Sequence, residues 1–250
     1  SLKSIILIFV EGYLFSSKRW YIKVIIPLSS ILFVKENNLS GIRVKKKIMI
    51  KNFLIISCTG KNDSIGLRID NKYFINKLQT NFFKNEILTQ TILDLIEKHK
   101  VKIDANLSIL INTGPGSFSG LRISLSVAKG MALAKNLNIF GYNHFLLNLA
   151  DQLKEKKKII SIQKTKKFYY FLKVDFTNSY TISKPQKVDF SKIIKEDIIT
   201  VAPMEMKNDQ VFKENNINKL KYVEFNLRNI DILIKNNLLE NKLIKPLYLS

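Results

Sequence analysis

The chain has few of the residues that bind metals or form disulfides. It holds one cysteine, Cys58, and two histidines, His99 and His144, among 250 residues. A single cysteine excludes an internal disulfide framework and fits a reducing cytosol. The two histidines lie too far apart in the sequence to form a helical pair of metal ligands. Each is therefore predicted to be a surface or helix-cap residue.

Long uninterrupted apolar runs are also missing from the sequence. The run Ile5–Val10 stops at Glu11, and the run Ile25–Val34 is broken by Pro27. Neither run reaches the roughly 20 apolar residues that span a bilayer. The order of segments that makes a signal peptide is not found either. We therefore expect a cytoplasmic protein with no membrane partner.

Acidic residues are scarce, with 20 Asp and Glu against 41 Lys and Arg, and the net charge is +21. Lysines that neutralise phosphates release counterions, so this excess is compatible with an RNA partner. However, only five of the basic residues are Arg, and the chain is also rich in Ile and Asn. AT-rich coding DNA produces that mixture regardless of function. Basic clusters are weak evidence, and the spread of the lysines favours codon bias.

Residues 1–48 do not follow the pattern of the rest of the chain. They start with Ser1 and contain no methionine before Met49. We interpret Met49 as the functional start and residues 1–48 as an extraneous extension. A genuine lineage-specific extension stays open as the alternative.

The pattern after Met49 predicts a first subdomain over residues 49–154. Alternating and continuous apolar segments separated by turn residues predict an antiparallel meander of three strands, at Phe53–Ser57, Ser64–Ile69 and Tyr73–Leu78. Helical periodicity then alternates with strand patterns. The predicted order is helix, strand, helix, strand, helix, at Phe83–Lys98, Leu107–Ile111, Ser119–Lys135, Asn138–Tyr142 and His144–Lys154.

This order predicts an actin-like (ribonuclease-H-like) α/β fold, in which mixed sheets are flanked by helices. Residues 155–250 look like a second, degenerate copy of the same subdomain, with a C-terminal helix that returns to the first one. Its predicted strands are Ile159–Gln163, Phe168–Val174 and Ile198–Val201, and its predicted helices are Ser191–Lys195 and Ile230–Leu239.

A glycine-rich turn precedes the helix predicted at Ser119–Lys135. Ser117 and Ser119 are candidate N-caps of that helix, and glycine at 114 and 116 permits a positive φ and close backbone approach. A helix N-terminus reached in this way can hold an anion, so Gly114, Gly116 and Ser117 are weak candidates for a phosphate loop. Two glycines before a helix are common. Tight packing between strand and helix is the favoured interpretation.

Two apolar stripes run along this helix. One consists of Leu121, Leu125, Ala128 and Ala132, and the other of Ile123, Val127, Gly130, Met131 and Ala134. A surface helix normally has one such stripe, so two stripes predict burial on two sides. The sheet of the same subdomain can cover one stripe. The other is expected to face either a partner subunit or the second subdomain.

Two segments of this region are distinctive: Gly114-Pro115-Gly116-Ser117-Phe118-Ser119-Gly120-Leu121-Arg122 and, after it, Ala128-Lys129-Gly130-Met131-Ala132-Leu133-Ala134. Together they resemble the signature turn and helix of the TsaB (YeaZ) family. Gly141 fits the strand after that helix, and Pro246-Leu247-Tyr248-Leu249 is similar to the closing segment of the family. The resemblance covers roughly 200 residues from Met49 and is specific mainly over 112–142.

The resemblance implies a noncatalytic, actin-like subunit that supports threonylcarbamoyl transfer to the adenosine next to the tRNA anticodon. Its expected partners are a TsaD-type catalytic subunit and a TsaE-type ATPase, with tRNA as the substrate of the complex. A homodimer and a nucleotide at the subunit interface stay open, and no other cofactor is expected. The implied partner interface lies on two helices and contains Ile87, Leu88, Thr91, Leu121, Arg122, Leu125, Ala128, Lys129, Gly130 and Ala132.

The sequence departs from the family pattern where a carboxylate would be expected. The first strand ends in Ser57-Cys58-Thr59-Gly60, without the acid usual at this place, and Gln163-Lys164-Thr165 lacks a second acid. Hard cations and their nucleotides need oxygen anions, so these losses weaken the case for ATP hydrolysis. Two rivals remain: an actin-like sugar or acid kinase or ATPase, and a basic RNA-binding protein.

Overall fold

The computed structural model describes residues 5–13, 19–27, 50–60, 63–78, 85–155, 157–165, 168–176, 181–193, 198–217, 219–241 and 244–249. The chain divides into two compact units, Ser1–Met49 and Ile50–Ser250. In the first unit, β1 (Ile5–Tyr13) and β2 (Arg19–Pro27) pair antiparallel, with Ile5 opposite Pro27 and Tyr13 opposite Arg19.

The first sheet of the second unit starts with the predicted meander. Strands β3 (Asn52–Ser57), β4 (Ser64–Ile69) and β5 (Lys72–Lys77) pair antiparallel in sequence order. Asp70 and Asn71 both have a positive φ, at 48° and 67°, which makes the tight turn between β4 and β5. The meander was predicted from periodicity and turn residues, and it is confirmed.

Two helices and two parallel strands complete this sheet. Helix α1 (Asn85–Lys98) leads to β6 (Leu107–Asn112), and α2 (Phe118–Lys135) leads to β7 (Asn138–Tyr142). Strand β6 lies parallel to β3 and β7 lies parallel to β6, giving the order β5-β4-β3-β6-β7. The predicted start of α1 at Phe83 lies outside the described residues. A core of β3, β4, β6, α1 and α2 side chains fills the space between sheet and helices.

The second sheet repeats this order. After α3 (His144–Leu149) and a 3₁₀ turn come β8 (Ile159–Lys164), β9 (Tyr169–Asp175), β10 (Thr181–Ile182), β11 (Gln186–Lys187), α4 (Phe190–Ile193), β12 (Ile199–Pro203), α5 (Gln210–Glu214), β13 (Leu220–Val223) and α6 (Ile230–Lys235). The order is β10-β9-β8-β12-β13, with β12 parallel to β8 and to β13 and with β11 also on β9. Two similar mixed sheets flanked by helices are therefore confirmed.

The second sheet contains elements that the pattern did not reveal. Strands β10 and β11 have two exposed residues each, and β13 is only half-buried, so none shows the alternation that predicts a strand. The predicted helix Ile230–Leu239 ends at Lys235 because Asn237 adopts φ 56°, a left-handed conformation that terminates helices. The helix predicted over His144–Lys154 changes to 3₁₀ geometry at Ala150.

The C-terminal part of the chain comes back to the first sheet at two places. Asp231 of α6 forms an ion pair with Arg68 of β4 at 3.1 Å. Glu240 pairs with Gly141 of β7 through two backbone hydrogen bonds of 2.8 Å. The last segment thus extends the free edge of the first sheet beside the glycine-rich turn.

Candidate functional site

The glycine-rich turn connects β6 to α2 and is hydrogen-bonded within the chain. Gly114, at φ 108°, donates its N–H to Asn112 Oδ1 at 2.9 Å. The N–H of Ser117 donates to the carbonyl of Thr59 at 2.7 Å. Ser117 caps α2, since its hydroxyl accepts from the N–H of Gly120 at 3.4 Å. Three of the N–H groups that a phosphate would need therefore already have acceptors.

The glycines of the turn are required by close backbone packing. A Cβ atom at 116 would lie 2.5 Å from the Thr59 carbonyl oxygen, and one at 120 would lie 2.5 Å from the Cys58 carbonyl oxygen. Real side chains do not come so close to a backbone, so the turn can pass the end of β3 only with glycine at both positions. The tight-packing interpretation describes this turn, and the chain itself fills the space beside the phosphate-loop candidates.

Buried polar side chains meet where β3, β6 and β7 end. The amide of Asn112 donates to the Ser57 hydroxyl at 3.1 Å, and Tyr142 lies fully buried beside them. Burial raises the pKa of the Tyr142 phenol, with smaller opposing effects from Ser57 and Asn112. Ser57 stands where the family pattern has an acid, and here it serves as a neutral hydrogen-bond partner inside the sheet edge.

A carboxylate nevertheless reaches this region from another position. Asp63 is buried, and its Oδ1 accepts the N–H groups of Thr59 and Gly60 at 2.6 and 2.8 Å. Burial raises the pKa of Asp63, and the two N–H bonds act against that rise. Nothing in the hydrophobic periodicity singles out this residue. The available signal was a glycine three positions before an aspartate, a spacing at which the side chain can close a turn.

His144 begins α3 and lies between the glycine-rich turn and the second subdomain. Its N–H donates to the Gly114 carbonyl at 2.8 Å, and its ring contacts Phe225 edge-on at 5.4 Å. Burial lowers the pKa of His144 to about 4, opposed by weaker effects of Glu205 and the Pro115 carbonyl. The imidazole is therefore neutral at physiological pH and has a structural role at this junction.

This lowered pKa predicts a loss of stability at acidic pH. The unfolded chain takes up a proton at its ordinary pKa near 6.5, whereas the folded chain takes it up only near 4. Stability should therefore fall between pH 6.5 and 4, by about 2 kcal/mol for this half-buried group. Urea unfolding at a series of pH values measures this decline. A His144→Gln variant should lose about 2 kcal/mol less stability over this pH range than the natural chain. An equal loss in both proteins would contradict the lowered pKa of His144.

The structure divides the expected interface residues into buried and exposed ones. Leu88 and Ala128 are buried in the core between the helices and the sheet, and Leu121 is buried beside Gly114 of the turn. They cannot reach a partner in this conformation, and we remove them from the candidate surface. Leu125 and Ala132 are half-buried against the same core. Periodicity alone could not tell which stripe of α2 faces inward.

The second apolar stripe of α2 is also covered mainly by the chain itself. Ile123, Val127 and Met131 pack against the core cluster that includes Leu88 and Ile92 of α1. Helix α1 lies beside α2 on the same sheet. Gly130 and Ala134 of this stripe are exposed, so contact of this side with a partner subunit stays a prediction.

A third strip of α2 faces solvent together with part of α1. Its most exposed side chain, Leu133 near the end of the helix, is 87% exposed, and Phe118 at the start of the helix is 57% exposed. A Cβ atom at Gly130 would have no neighbour within 4 Å. We call this face the outer helix surface, and it consists of Ile87, Thr91, Phe118, Arg122, Lys129, Gly130 and Leu133.

The C-terminal segment adds an aromatic side chain to one end of the outer helix surface. Leu247 donates its N–H to the Thr113 carbonyl at 2.6 Å, which fixes the segment beside the turn. Tyr248 then packs on Phe118 with ring centroids 5.1 Å apart, and the Arg122 guanidinium lies 5.0 Å from the Phe118 ring. Exposed aromatic and Arg side chains are enriched in protein interfaces.

A pocket of about 200 Å³ lies at the opposite end of the first sheet, lined by Asn52, His99, Val101 and Leu107 among others. It is smaller than typical sites for nucleotides or other small ligands. Within the described ranges, no three His, Cys, Asp or Glu side chains gather as a metal site would require. None of the helices in the described ranges has the length and apolar character to cross a bilayer.

The order of strands in both sheets places the chain in the actin-like class of α/β proteins. A family model described as "TsaD: tRNA N6-adenosine threonylcarbamoyltransferase" matches residues 84–226, more than half of the chain. The chain belongs to this family.

The chain is also similar to a curated relative in sequence and to solved structures in fold. The curated "tRNA threonylcarbamoyladenosine biosynthesis protein TsaB" of Buchnera aphidicola is 33% identical over 115 residues, which are 46% of this chain and 52% of that protein. The match thus spans about half the length of the relative. Among solved structures, YeaZ from Pseudomonas aeruginosa has a TM-score of 0.57 at 12% identity and covers 80% of this chain and all of its own. A second Pseudomonas aeruginosa structure, described as similar to peptidase YEAZ, has a TM-score of 0.58 at 13% identity with the same coverage.

Proposed function

We propose that this chain is a noncatalytic subunit in the biosynthesis of tRNA threonylcarbamoyladenosine. The observation that carries the proposal is the contrast between a closed glycine turn and an open helical face. The turn packs on the end of β3, and its N–H groups already donate to acceptors within the chain. The neighbouring outer helix surface leaves Leu133 almost wholly in water. Such an arrangement suits binding of another protein better than binding of a phosphate.

The partner that we propose is a TsaD-type catalytic subunit, with a TsaE-type ATPase in the same complex and tRNA as the substrate of the complex. The family match and the name of the Buchnera relative support this choice of pathway. The complex would act in the cytoplasm, in keeping with a single, buried cysteine. A homodimer on the same surface would compete with the proposed pairing.

The proposed contact is the outer helix surface. Leu133 and Phe118 are its apolar anchors, because large exposed apolar side chains that become buried supply most of the binding energy of an interface. Arg122 and Lys129 lie on the same side of α2 and would meet acidic or carbonyl groups of the partner. Gly130 lets the partner backbone approach α2 closely, and Ile87 and Thr91 contribute from α1.

Reconstitution with purified components tests this function. A TsaD-type protein and a TsaE-type ATPase, incubated with unmodified tRNA and a threonylcarbamoyl donor, should form threonylcarbamoyladenosine only when this chain is added. Liquid chromatography of the digested tRNA with mass detection measures the product. Equal product formation without the chain would contradict the proposal.

An ATP hydrolysis assay tests whether the chain is noncatalytic. The isolated chain should not hydrolyse ATP, because Ser57 replaces the expected acid and the N–H groups of Gly114, Ser117 and Gly120 in the turn have internal acceptors. Phosphate release by the chain alone, above that of a heat-denatured sample, would favour the rival assignment as an actin-like kinase or ATPase.

A further inference from the structure

The end of the β8–β9 hairpin exposes an aromatic ring next to a cation. Phe168 is 46% exposed although it directly precedes strand β9 of the second sheet. The Lys187 ammonium lies 4.1 Å from the centroid of its ring. A cation so close to an aromatic face interacts favourably with the ring quadrupole. The pair therefore forms a preorganised feature of the surface.

The backbone holds Phe168 in a defined position. The N–H of Thr165 donates to the Phe168 carbonyl at 2.8 Å, and the Thr165 hydroxyl donates to the same carbonyl at 3.0 Å. The N–H of Phe168 donates back to the Thr165 hydroxyl at 3.2 Å. In the adjacent residue pair of the hairpin, Lys164 lies 5.3 Å from the ring centroid of Tyr169. Little entropy would be lost if a ligand packed on a ring fixed in this way.

Further positive charge comes from the segment that covers the edge of β9. Lys187 of β11 lies opposite Tyr170 of β9, and Lys184 is exposed between β10 and β11. We call Phe168, Lys187 and the nearby Lys184 the hairpin patch. Lys164 lies opposite Tyr169, whose side chain is on the other face of the sheet from that of Tyr170, and it is paired with Asp209 at 3.0 Å. Lys184 and Lys187 are thus the better candidates to meet an external anion.

We propose that the hairpin patch binds an unpaired segment of RNA. A base stacks on the exposed part of Phe168, and the adjacent phosphates meet the Lys187 and Lys184 ammonium groups. Aromatic side chains next to basic ones are the usual means of binding single-stranded nucleic acid, because every base has a face that can stack. This inference rests on the proposed function in one respect, since it takes the RNA to be the tRNA on which the complex acts.

A structural explanation competes with this one. Lysines and proline on an edge strand prevent other chains from pairing with it, and Lys184, Pro185 and Lys187 lie on such an edge. Strand β5 is the edge of the first sheet and holds two exposed lysines, Lys72 and Lys77. Edge protection and overall charge affect both edges alike, so β5 supplies a matched control. Among the described contacts, no lysine of β5 lies over an exposed aromatic ring as Lys187 lies over Phe168.

The test uses the full chain with two probes, a fluorescently labelled unmodified tRNA and a fully paired RNA duplex. Phe168→Ala should weaken binding to tRNA roughly tenfold, and Phe168→Trp should restore it. The double variant Lys184→Gln and Lys187→Gln should lower the slope of log affinity against log salt by roughly 0.7 for each phosphate that is no longer neutralised. Lys72→Gln with Lys77→Gln should leave tRNA binding nearly unchanged. Fluorescence anisotropy at several salt concentrations measures all four.

Several results would overturn the proposal. Equal losses in the two double-lysine variants would show binding by diffuse charge alone. An unchanged affinity of Phe168→Ala, no tRNA binding by the chain, or equal affinity for the duplex would exclude base stacking at the patch. If the hairpin-patch variants instead abolished pairing with the TsaD-type subunit, the surface would be a protein contact. Pairing with the TsaD-type subunit is measured separately, with variants of the outer helix surface. Its outcome is therefore independent of the outcome for RNA binding.

Discussion

Replacing Gly120 by alanine should destabilise the Ile50–Ser250 unit by about 3 kcal/mol, near the upper end of what overpacking usually costs. The new Cβ would lie 2.5 Å from the Cys58 carbonyl oxygen and 3.2 Å from its carbonyl carbon. These are backbone atoms of a central strand end, so they cannot move away as a flexible side chain could. Urea unfolding followed by circular dichroism measures the change.

Gly130 in the same helix provides the matched control. A Cβ atom there would have no neighbour within 4 Å, so Gly130→Ala adds no clash and gains helix propensity. It should leave stability unchanged or raise it by up to about 1 kcal/mol. If Gly120→Ala proved as harmless as Gly130→Ala, the closed packing of the turn on β3 would be contradicted.

Much of the first sheet could be predicted because its strands and turns are marked by local residue patterns. Strands β3, β4 and β6 are almost entirely buried and consist of apolar runs between turn residues. The Asp70–Asn71 turn has residues that tolerate a positive φ. The signature turn was also recognised, and its closeness to β3 explains why two of its glycines cannot be replaced.

Other features depend on contacts between distant residues and could not be read from local patterns. Strands β10, β11 and β13 are defined by pairing with β9 and β12. The burial of Leu121 and Ala128, and the exposure of Leu133, are decided by where α1 and the sheet lie relative to α2. Asp63 is different, because its contacts with the N–H groups of Thr59 and Gly60 are local and a turn signal for them was available.

Exchanging Leu133 for lysine should weaken pairing with the TsaD-type subunit at least thirtyfold, the effect of losing roughly 2 kcal/mol at an apolar anchor of an interface. The side chain is 87% exposed in the free chain, so its exchange should change stability by less than about 0.5 kcal/mol. Lysine in the last turns of a helix also interacts favourably with the helix dipole. Isothermal titration calorimetry with the purified partner measures the affinity.

Met204→Lys is the matched control for this exchange. Met204 is a large apolar residue, 39% exposed, in a 3₁₀ turn of the second subdomain. Its replacement adds the same charge to the chain without touching the outer helix surface. If Met204→Lys weakened pairing as much as Leu133→Lys did, net charge and not the helical surface would govern the association.

The most direct test of the central claim uses the single cysteine of the chain. Cys58 is fully buried, and burial, with a smaller effect of Asp63, raises its pKa to about 12, so it should not react with a maleimide in the folded chain. A Leu133→Cys variant then provides one reactive thiol on the outer helix surface, and Met204→Cys provides one elsewhere. Labelling rates are measured by mass spectrometry with and without an excess of the TsaD-type subunit. We predict that the partner slows labelling at position 133 strongly and leaves position 204 unaffected; equal rates at position 133 with and without a bound partner would contradict the account.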